Sequence, residues 1–370
     1  MIIQARTAVI QGALRENIWV EVENNVIVSI NEGTFTHADR TVEGVLIPGF
    51  IDIHCHGGGG NYFSSKMDQE IESVINTHRA HGTTTIFASL VTEPLDLLKN
   101  QIRHLVPFAQ RGGIAGIHLE GPYLASGRCG AHDPTLLRTP LISEFEELTS
   151  VGQGFIKMVT IAPELENAID AIRYLVANGI IAAIGHSAAD YDSALRGVDA
   201  GASVITHFPN AVSKLDDSGQ TLAQLALRDP RLTLELILDG HHVSNETVKR
   251  ICDVASKRVA LVTDAMCAAG SSDGHYKIGA LPVTVKDSVA RLDSNNALAG
   301  STLTMDQAFF NMHLIHGLSL PQAVAASSTI AARTVGLHDR GEISVGKRAD
   351  LLEAHIAERQ ISIIALDARS

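Results

Sequence analysis

The chain has 370 residues, more than one small core usually accommodates, so a single large barrel or two domains are expected. Hydrophobic residues make up 45% of it, enough for a full core, and a formal net charge of −12 argues against nucleic acid as a partner. No apolar run reaches about 18 residues and no basic patch leads into a hydrophobic stretch at the start, which argues against a membrane span or signal peptide and makes a cytoplasmic protein the expectation.

The four cysteines, Cys55, Cys129, Cys252 and Cys267, show no C-x-x-C spacing, so neither a disulfide framework nor a zinc ribbon is expected. The acidity also means that an anionic substrate needs a locally built site. Histidine is the compositional oddity, at 17 residues, and matters through where it falls.

Residues 1–47 alternate apolar and polar in short runs (Ile18 to Glu23, Val26 to Ile30), with turn signals at Glu23-Asn24-Asn25 and Asn31-Glu32-Gly33, the pattern of a small antiparallel sheet. Next comes Pro48-Gly-Phe-Ile-Asp-Ile-His-Cys-His-Gly-Gly-Gly-Gly60. Phe50 to His56 reads as a buried strand whose alternation puts Asp52, His54 and His56 on one face, and the glycines after it leave room for a ligand. From there the rhythm is strand, loop, amphipathic helix. Strands are expected at Phe50–His56, Thr84–Val91, Ala115–Glu120, Ile156–Ala162, Ile180–His186, Val204–His207, Leu232–Leu238 and Val259–Asp264. Helical spacing is clearest over Leu165, Ala168, Ile169, Ile172, Leu175 and Val176, closed by Gly179, with similar patterns at Ile71–His78 and Leu97–Val106. Strands each followed by a helix describe a (β/α)8 TIM barrel.

Residues 275–293 read as an inserted hairpin, and Thr304–His316 and Pro321–Val335 as helices. The turn-rich Gly341-Glu-Ile-Ser-Val-Gly-Lys-Arg-Ala-Asp350 is expected to return to the N-terminal sheet. The organisation expected is therefore a small β-sandwich domain made from residues 1–48 and 336–370, split by a barrel over 49–335.

The expected strands end in metal-binding chemistry: His54 and His56, Glu120, His186, His207, His242 and Asp264. Strand ends converge on one face of a TIM barrel, and histidines with carboxylates at one point make a divalent-metal constellation suited to zinc and neighbouring transition ions. Iron, manganese and cobalt use the same ligands.

Several motifs in this order resemble the amidohydrolase superfamily and, within it, the deacetylases of N-acetylglucosamine 6-phosphate. They are Pro48-Gly-Phe-Ile-Asp-Ile-His-Cys-His-Gly, Gly116-Ile-His-Leu-Glu-Gly-Pro-Tyr-Leu124, Gly130-Ala-His132, Gly185-His-Ser187, Thr206-His207 with Asn210-Ala211, Asp239-Gly-His-His242, Thr263-Asp-Ala-Met266 and Leu298-Ala-Gly-Ser-Thr302. The resemblance implies Glu120, His186 and His207 as principal metal ligands. It implies His54 and His56 as the pair for a second ion in members that have one; with a single ion they line the site as hydrogen-bonding neighbours. Asp264 matches the catalytic acid/base. Ala131, His132, Asn210, Ala211, Asp239, Gly240, His241, His242, Leu298, Ala299 and Gly300 match positions that contact the sugar phosphate. A homodimer is also implied.

Amide hydrolysis needs an activated water, and a divalent ion supplies one while polarising the acetyl carbonyl. Asp264 then accepts the water's proton and delivers it to the departing amine. From its position in the resemblance, His132 is expected to stabilise the oxyanion. One departure bears on the substrate. The segment Ser213-Lys-Leu-Asp-Asp-Ser-Gly-Gln220 carries no arginine where the family pattern has one meeting the phosphate, and Asp216 and Asp217 add negative charge. Lys214, His242 and the Asn210-Ala211 amides remain as phosphate donors. The galactosamine epimer or an unphosphorylated N-acetyl amino sugar is thus an alternative substrate, and a non-catalytic sugar-binding barrel an alternative of another class. Cys129 lies on the loop expected to approach the site, and Lys157, on the fourth strand, reads as structural or as a minor site candidate.

Overall fold

The computed structural model describes residues 1–212, 215, 220–357 and 360–366. The expected phosphate donor Lys214, and Ser213, Asp216 and Asp217 beside it, lie outside the described residues.

Eight strands form one parallel sheet: Phe50–Asp52, Thr83–Leu90, Gly116–Glu120, Ile156–Ile161, Ile181–Ile184, Val204–Ile205, Thr233–Ile237 and Val259–Val262. They match the eight expected strands one for one. Neighbours pair in chain order, and a parallel bridge between Cys55 and Ala265 joins the first and last just beyond their ends. Because each strand is covered by helices outside and by its neighbours' side chains inside, all eight are buried along nearly their whole length rather than on alternate residues.

Two expected boundaries shift for local reasons. The first strand stops at Asp52, where the ladder ends, instead of running to His56. The helix expected over residues 165–176 begins only at Ala168, since Asn167 takes a left-handed φ of 64° that leaves Leu165 in the preceding turn. Its buried face is Ala168, Ala171, Ile172 and Leu175, whereas Val176 points outward at 41% exposure. Helix Asp68–Ala80 buries Ile71, Val74, Ile75 and His78, and helix Leu95–Gln110 buries Leu98, Ile102 and Leu105. Both follow the i, i+3, i+4 rule.

The inserted segment has three strands rather than two: Gly274–Ile278, Leu281–Lys286 and Val289–Leu292. The first, Gly-His-Tyr-Lys-Ile, carries too little apolar signal to be found by pattern. Its inner face packs Ile278, Val283, Val285 and Leu292 with Met266 and Ala299 at the mouth of the barrel.

The chain termini share one six-stranded sheet, in the order Gln360–Leu366, Leu351–Ala357, Arg40–Pro48, Ile2–Ile10, Ala13–Glu23 and Val26–Glu32. All its pairs are antiparallel except Ile2–Ile10 with Arg40–Pro48, which are parallel. Residues 341–350 return to the N-terminal strands through bridges Ile10–Ile343 and Val26–Arg348, although regular pairing starts only at Leu351. The sheet thereby curls round its own apolar filling of Ile3, Val20, Ile27, Leu46, Ile343 and Leu351.

Phe50, at the root of the first barrel strand, and Phe309, on helix Met305–Phe310, are both fully buried, with ring centroids 5.3 Å apart. Phe50→Ala leaves a cavity at this junction, and a loss of about 3–5 kcal/mol is expected. Chemical denaturation followed by circular dichroism reads it as a lower midpoint.

Candidate metal centre

Five of the eight strand ends contribute to a single cluster. Glu120 closes the third strand, His186 and His207 follow the fifth and sixth, Asp264 follows the eighth, and His54 and His56 follow the first. His186, His207 and Asp264 adopt positive φ values of 47°, 33° and 47°, uncommon for non-glycine residues and worth about 1–3 kcal/mol of strain each. The left-handed turn is what swings each side chain inward as the strand ends. Backbone bonds hold the strained geometry: Asp264 N–H donates to the His54 carbonyl at 2.8 Å, and Ser301 N–H to the Asp264 carbonyl at 2.8 Å.

Glu120 is the hub, only 4% exposed. Its Oε1 lies 3.1 Å from His186 Nε2, 3.0 Å from His207 Nε2 and 3.6 Å from His54 Nε2. Its Oε2 lies 3.2 Å from His56 Nε2 and 3.4 Å from His132 Nε2. The nitrogens also crowd one another, with His186 Nε2 to His207 Nε2 at 2.9 Å and His54 Nε2 to His56 Nε2 at 3.2 Å. Asp264 Oδ1 stands 3.3 Å from His56 Nε2 and 3.5 Å from His54 Nε2.

This arrangement fits a divalent ion. Bonds of about 2.0–2.1 Å to a tetrahedral zinc put its ligand atoms about 3.3 Å apart, close to the separations found here. Glu120, His186 and His207 could hold one ion. His54, His56, Glu120 and Asp264, whose ligand atoms all lie within 4.8 Å of one another, could hold a second, with Glu120 shared.

The outward nitrogens say which imidazoles are ready to bind. His54 Nδ1 meets Glu235 Oε2 at 2.9 Å, and His186 Nδ1 donates to the Arg128 carbonyl at 2.8 Å, so both Nε2 lone pairs face inward. His132 is the opposite case. Its Nδ1 accepts from the Thr92 backbone N–H at 3.3 Å, which places the ring proton on Nε2 and makes His132 a donor into the cavity despite its proximity to Glu120 and His186. Burial lowers its pKa and keeps it neutral. His118, with its ring 4.6 Å from that of His54, spends both nitrogens on the hydroxyls of Ser89 and Thr160, and burial holds its pKa well below the ordinary value.

With protein groups alone, the carboxylates draw protons onto the facing rings. Burial disfavours a charged His56, yet its hydrogen bonds to Asp264 and Glu120 outweigh that and raise its pKa to about 9. Asp264 is pushed up by burial and pulled further down by the His54 charge and the His56 hydrogen bond, ending below the usual carboxylate range.

These groups open into a cavity of about 290 Å³ whose walls include Ala131, His132, Asn210, Ala211, His242, Leu298 and Gly300. Four of the expected substrate positions do not line it. Asp239 instead bonds His242 Nδ1 at 2.6 Å from behind, His241 and Gly240 sit on the turn beside it, and Ala299 is fully buried in the core beneath the inserted strands. Asp52 does not share the site face with His54 and His56. With the strand ending at Asp52, its carboxylate accepts from the Thr263 hydroxyl at 2.6 Å and from the His54 N–H at 3.2 Å, and burial raises its pKa to about 6. Cys55 packs against His78, and Lys157 lies along Gly116 outside the cavity. Cys129 is half-buried beside Gly130 and is not among the lining residues.

Sequence reading passed over Tyr62, Arg128, Met266 and Ile278 in the cavity wall, and Glu235 behind it. Only Glu235 carried a signal: a lone carboxylate inside the apolar run Leu232–Leu238. It is fully buried, bonded to His54 Nδ1 and accepting the His207 backbone N–H at 3.1 Å. Glu235→Ala is expected to weaken binding of a divalent ion by about 10–100-fold, measured by competition with a coloured chelator.

Residues 45–354 match the amidohydrolase family. The chain is 32% identical over 356 residues to the N-acetylgalactosamine-6-phosphate deacetylase of Escherichia coli O157:H7, covering 95% of this chain and 94% of that protein. It is 33% identical over 323 residues to the N-acetylglucosamine-6-phosphate deacetylase of Vibrio furnissii, covering 85% of this chain and 81% of that one. Among solved structures, a point mutant of the Mycobacterium smegmatis N-acetyl-D-glucosamine-6-phosphate deacetylase in complex with N-acetyl-D-glucosamine-6-phosphate superposes with a TM-score of 0.92 at 38% identity, covering 98% of both chains. Metal-capable strand ends on a parallel barrel and a match over most of the sequence agree: the chain belongs to the amidohydrolase family.

Proposed function

We propose that this protein removes the acetyl group from an N-acetyl amino sugar 6-phosphate, N-acetylglucosamine 6-phosphate first, giving the free amino sugar phosphate and acetate. The observation that carries the reading is the position of Asp264, in the cavity wall beside imidazoles that converge on Glu120. Family membership and relatives named for this reaction support it.

Glu120, His186 and His207 are the proposed principal ligands, with His54 and His56 serving a second ion. Zinc is the proposed ion because the nitrogen-rich set and its spacing suit tetrahedral coordination. When bound, a divalent ion lowers the pKa of water and polarises a carbonyl. Asp264, kept ionised, accepts the proton of the attacking water and returns it to the departing nitrogen, without which an amine leaves poorly. His132 donates its Nε2–H to the acetyl oxygen as negative charge grows there; Thr92 fixes the tautomer this requires. Asn210, Ala211, His242, Leu298 and Gly300 hold the sugar, with Asp239 orienting His242. Gly240, His241 and Ala299 belong to the same turns and shape them.

The galactosamine epimer is the second reading, favoured by the E. coli relative that covers almost the whole chain. Division into residues 1–48, 49–335 and 336–370 is part of the proposal: the six shared-sheet strands come from the outer segments, and every cavity-lining residue from the central one. A cytoplasmic homodimer completes it and rests on the sequence reading alone.

Acetate release measured side by side from N-acetylglucosamine 6-phosphate, N-acetylgalactosamine 6-phosphate and unphosphorylated N-acetylglucosamine tests the substrate. A phosphorylated sugar is expected to win, and a clear preference for the unphosphorylated one sinks the reading. Asp264→Asn is expected to keep the ion held by Glu120, His186 and His207, by elemental analysis, and lose about 10²–10⁴-fold in kcat. Replacing both His54 and His56 by asparagine is expected to lower the count of bound metal per chain.

A further inference from the structure

Arg128 is the one lysine or arginine among the described residues that lines the cavity. It lies in the short turn Ser126–Arg128, on the loop between Glu120 and His132, and its two halves face different tasks. The backbone carbonyl accepts the His186 Nδ1–H at 2.8 Å and so sets that imidazole's orientation. Next to it, Gly130 at φ 58° lets the loop close over the His186 ring, where an added Cβ would stand 3.2 Å from Cε1. The loop is thus fastened to the centre by main chain alone. The side chain is left exposed, and among the described residues its guanidinium has neither hydrogen bond nor ion pair.

An unpaired guanidinium beside a cavity in a chain of net charge −12 is a local reversal of sign. The other basic groups in the wall are imidazoles. His56, His186 and His207 face Glu120, His132 donates toward it, and His242 is tied to Asp239. A phosphate entering with the sugar needs donors that the centre does not already use, and a guanidinium presents a planar fork matched to phosphate oxygens. The segment 213–220 contains no arginine.

We propose that Arg128 is the specificity-determining residue of this site, its guanidinium receiving the phosphate of the substrate while its carbonyl holds His186. The assignment rests on the amino sugar phosphate reading and names the group that selects for the phosphate. It also couples recognition to the centre, because the residue that meets the far end of the substrate is the one that orients a proposed ligand.

The test compares wild type, Arg128→Ala and Arg128→Lys on N-acetylglucosamine 6-phosphate and on unphosphorylated N-acetylglucosamine, with metal content and inhibition by inorganic phosphate measured on each. In Arg128→Ala the KM for the phosphorylated sugar is expected to rise about tenfold or more, with the larger effect on KM than on kcat. The preference for the phosphorylated over the unphosphorylated sugar should fall by a similar factor, and inhibition by phosphate should weaken in parallel. Metal content should hold, since the carbonyl remains, and Arg128→Lys should recover part of the preference as a point charge. An unchanged preference together with unchanged phosphate inhibition in Arg128→Ala overturns the proposal. So does loss of preference in Lys214→Ala with none in Arg128→Ala. If wild type itself prefers the unphosphorylated sugar, the functional reading fails first, and the wild-type measurement alone reveals it.

Discussion

Everything at the mouth of this barrel is arranged around the Glu120 carboxylate, buried and surrounded by imidazole nitrogens about a hydrogen-bond length away. With His186 Nδ1–H spent on a carbonyl, its Nε2 lone pair faces His207 Nε2 at 2.9 Å, a contact that needs either a proton on His207 or a cation between the rings. Beside the carboxylates, protons charge buried rings, as at His56, while a divalent cation would satisfy the same groups with the rings neutral. The raised pKa of His56 is the mark of that demand. It follows from placing anionic Glu120 and Asp264 where water cannot screen them.

The groups behind the centre divide the histidines by role. Glu235 and the Arg128 carbonyl turn the proton-bearing nitrogens of His54 and His186 outward, freeing the inner ones. The Thr92 amide does the reverse to His132, and the Ser89 and Thr160 hydroxyls occupy His118 on both sides. Four histidines of the same intrinsic chemistry, gathered in one region, are separated by their second hydrogen bond into candidate ligands (His54, His186), a donor (His132) and a structural core residue (His118), while the Nδ1 atoms of His56 and His207 are buried without a partner among the described residues. Glu235 ties the first and sixth barrel strands together, because one carboxylate oxygen serves both the His54 ring and the His207 backbone.

Left-handed backbone recurs around the centre. His186, His207 and Asp264 take left-handed φ just past their strands, and Ala211 does so at φ 53° on the loop beyond His207. Glu120 reaches the centre from the last residue of a regular strand, whereas His186, His207 and Asp264 lie two residues past the ends of theirs, where the left-handed turn sets their direction. The backbone distortion redirects them, and the stiffness of a fully packed barrel sustains it.

Much of this was legible in the sequence. Eight apolar runs with polar ends mark a barrel by periodicity, and the histidines and carboxylates at those ends mark a metal-capable face, since strand order in such a fold forces the ends together. The resemblance carried by the His-Leu-Glu-Gly-Pro and Asp-Ala-Met motifs then named a family that the match over residues 45–354 bears out. What only the tertiary structure decided is direction. Asp52 looked like a companion of His54 and His56 but turns to Thr263, because the strand ends before alternation can carry all three to one face. Asp239 and Ala299 support the cavity wall from behind, while Arg128, from an exposed turn with no periodic signal, enters it. Periodicity records which residues are buried and on which face; it does not record the second hydrogen bond of a histidine or the φ of the last residue of a strand. Those are set by contacts between residues far apart in the chain, and they determine which histidines are left free to hold a metal.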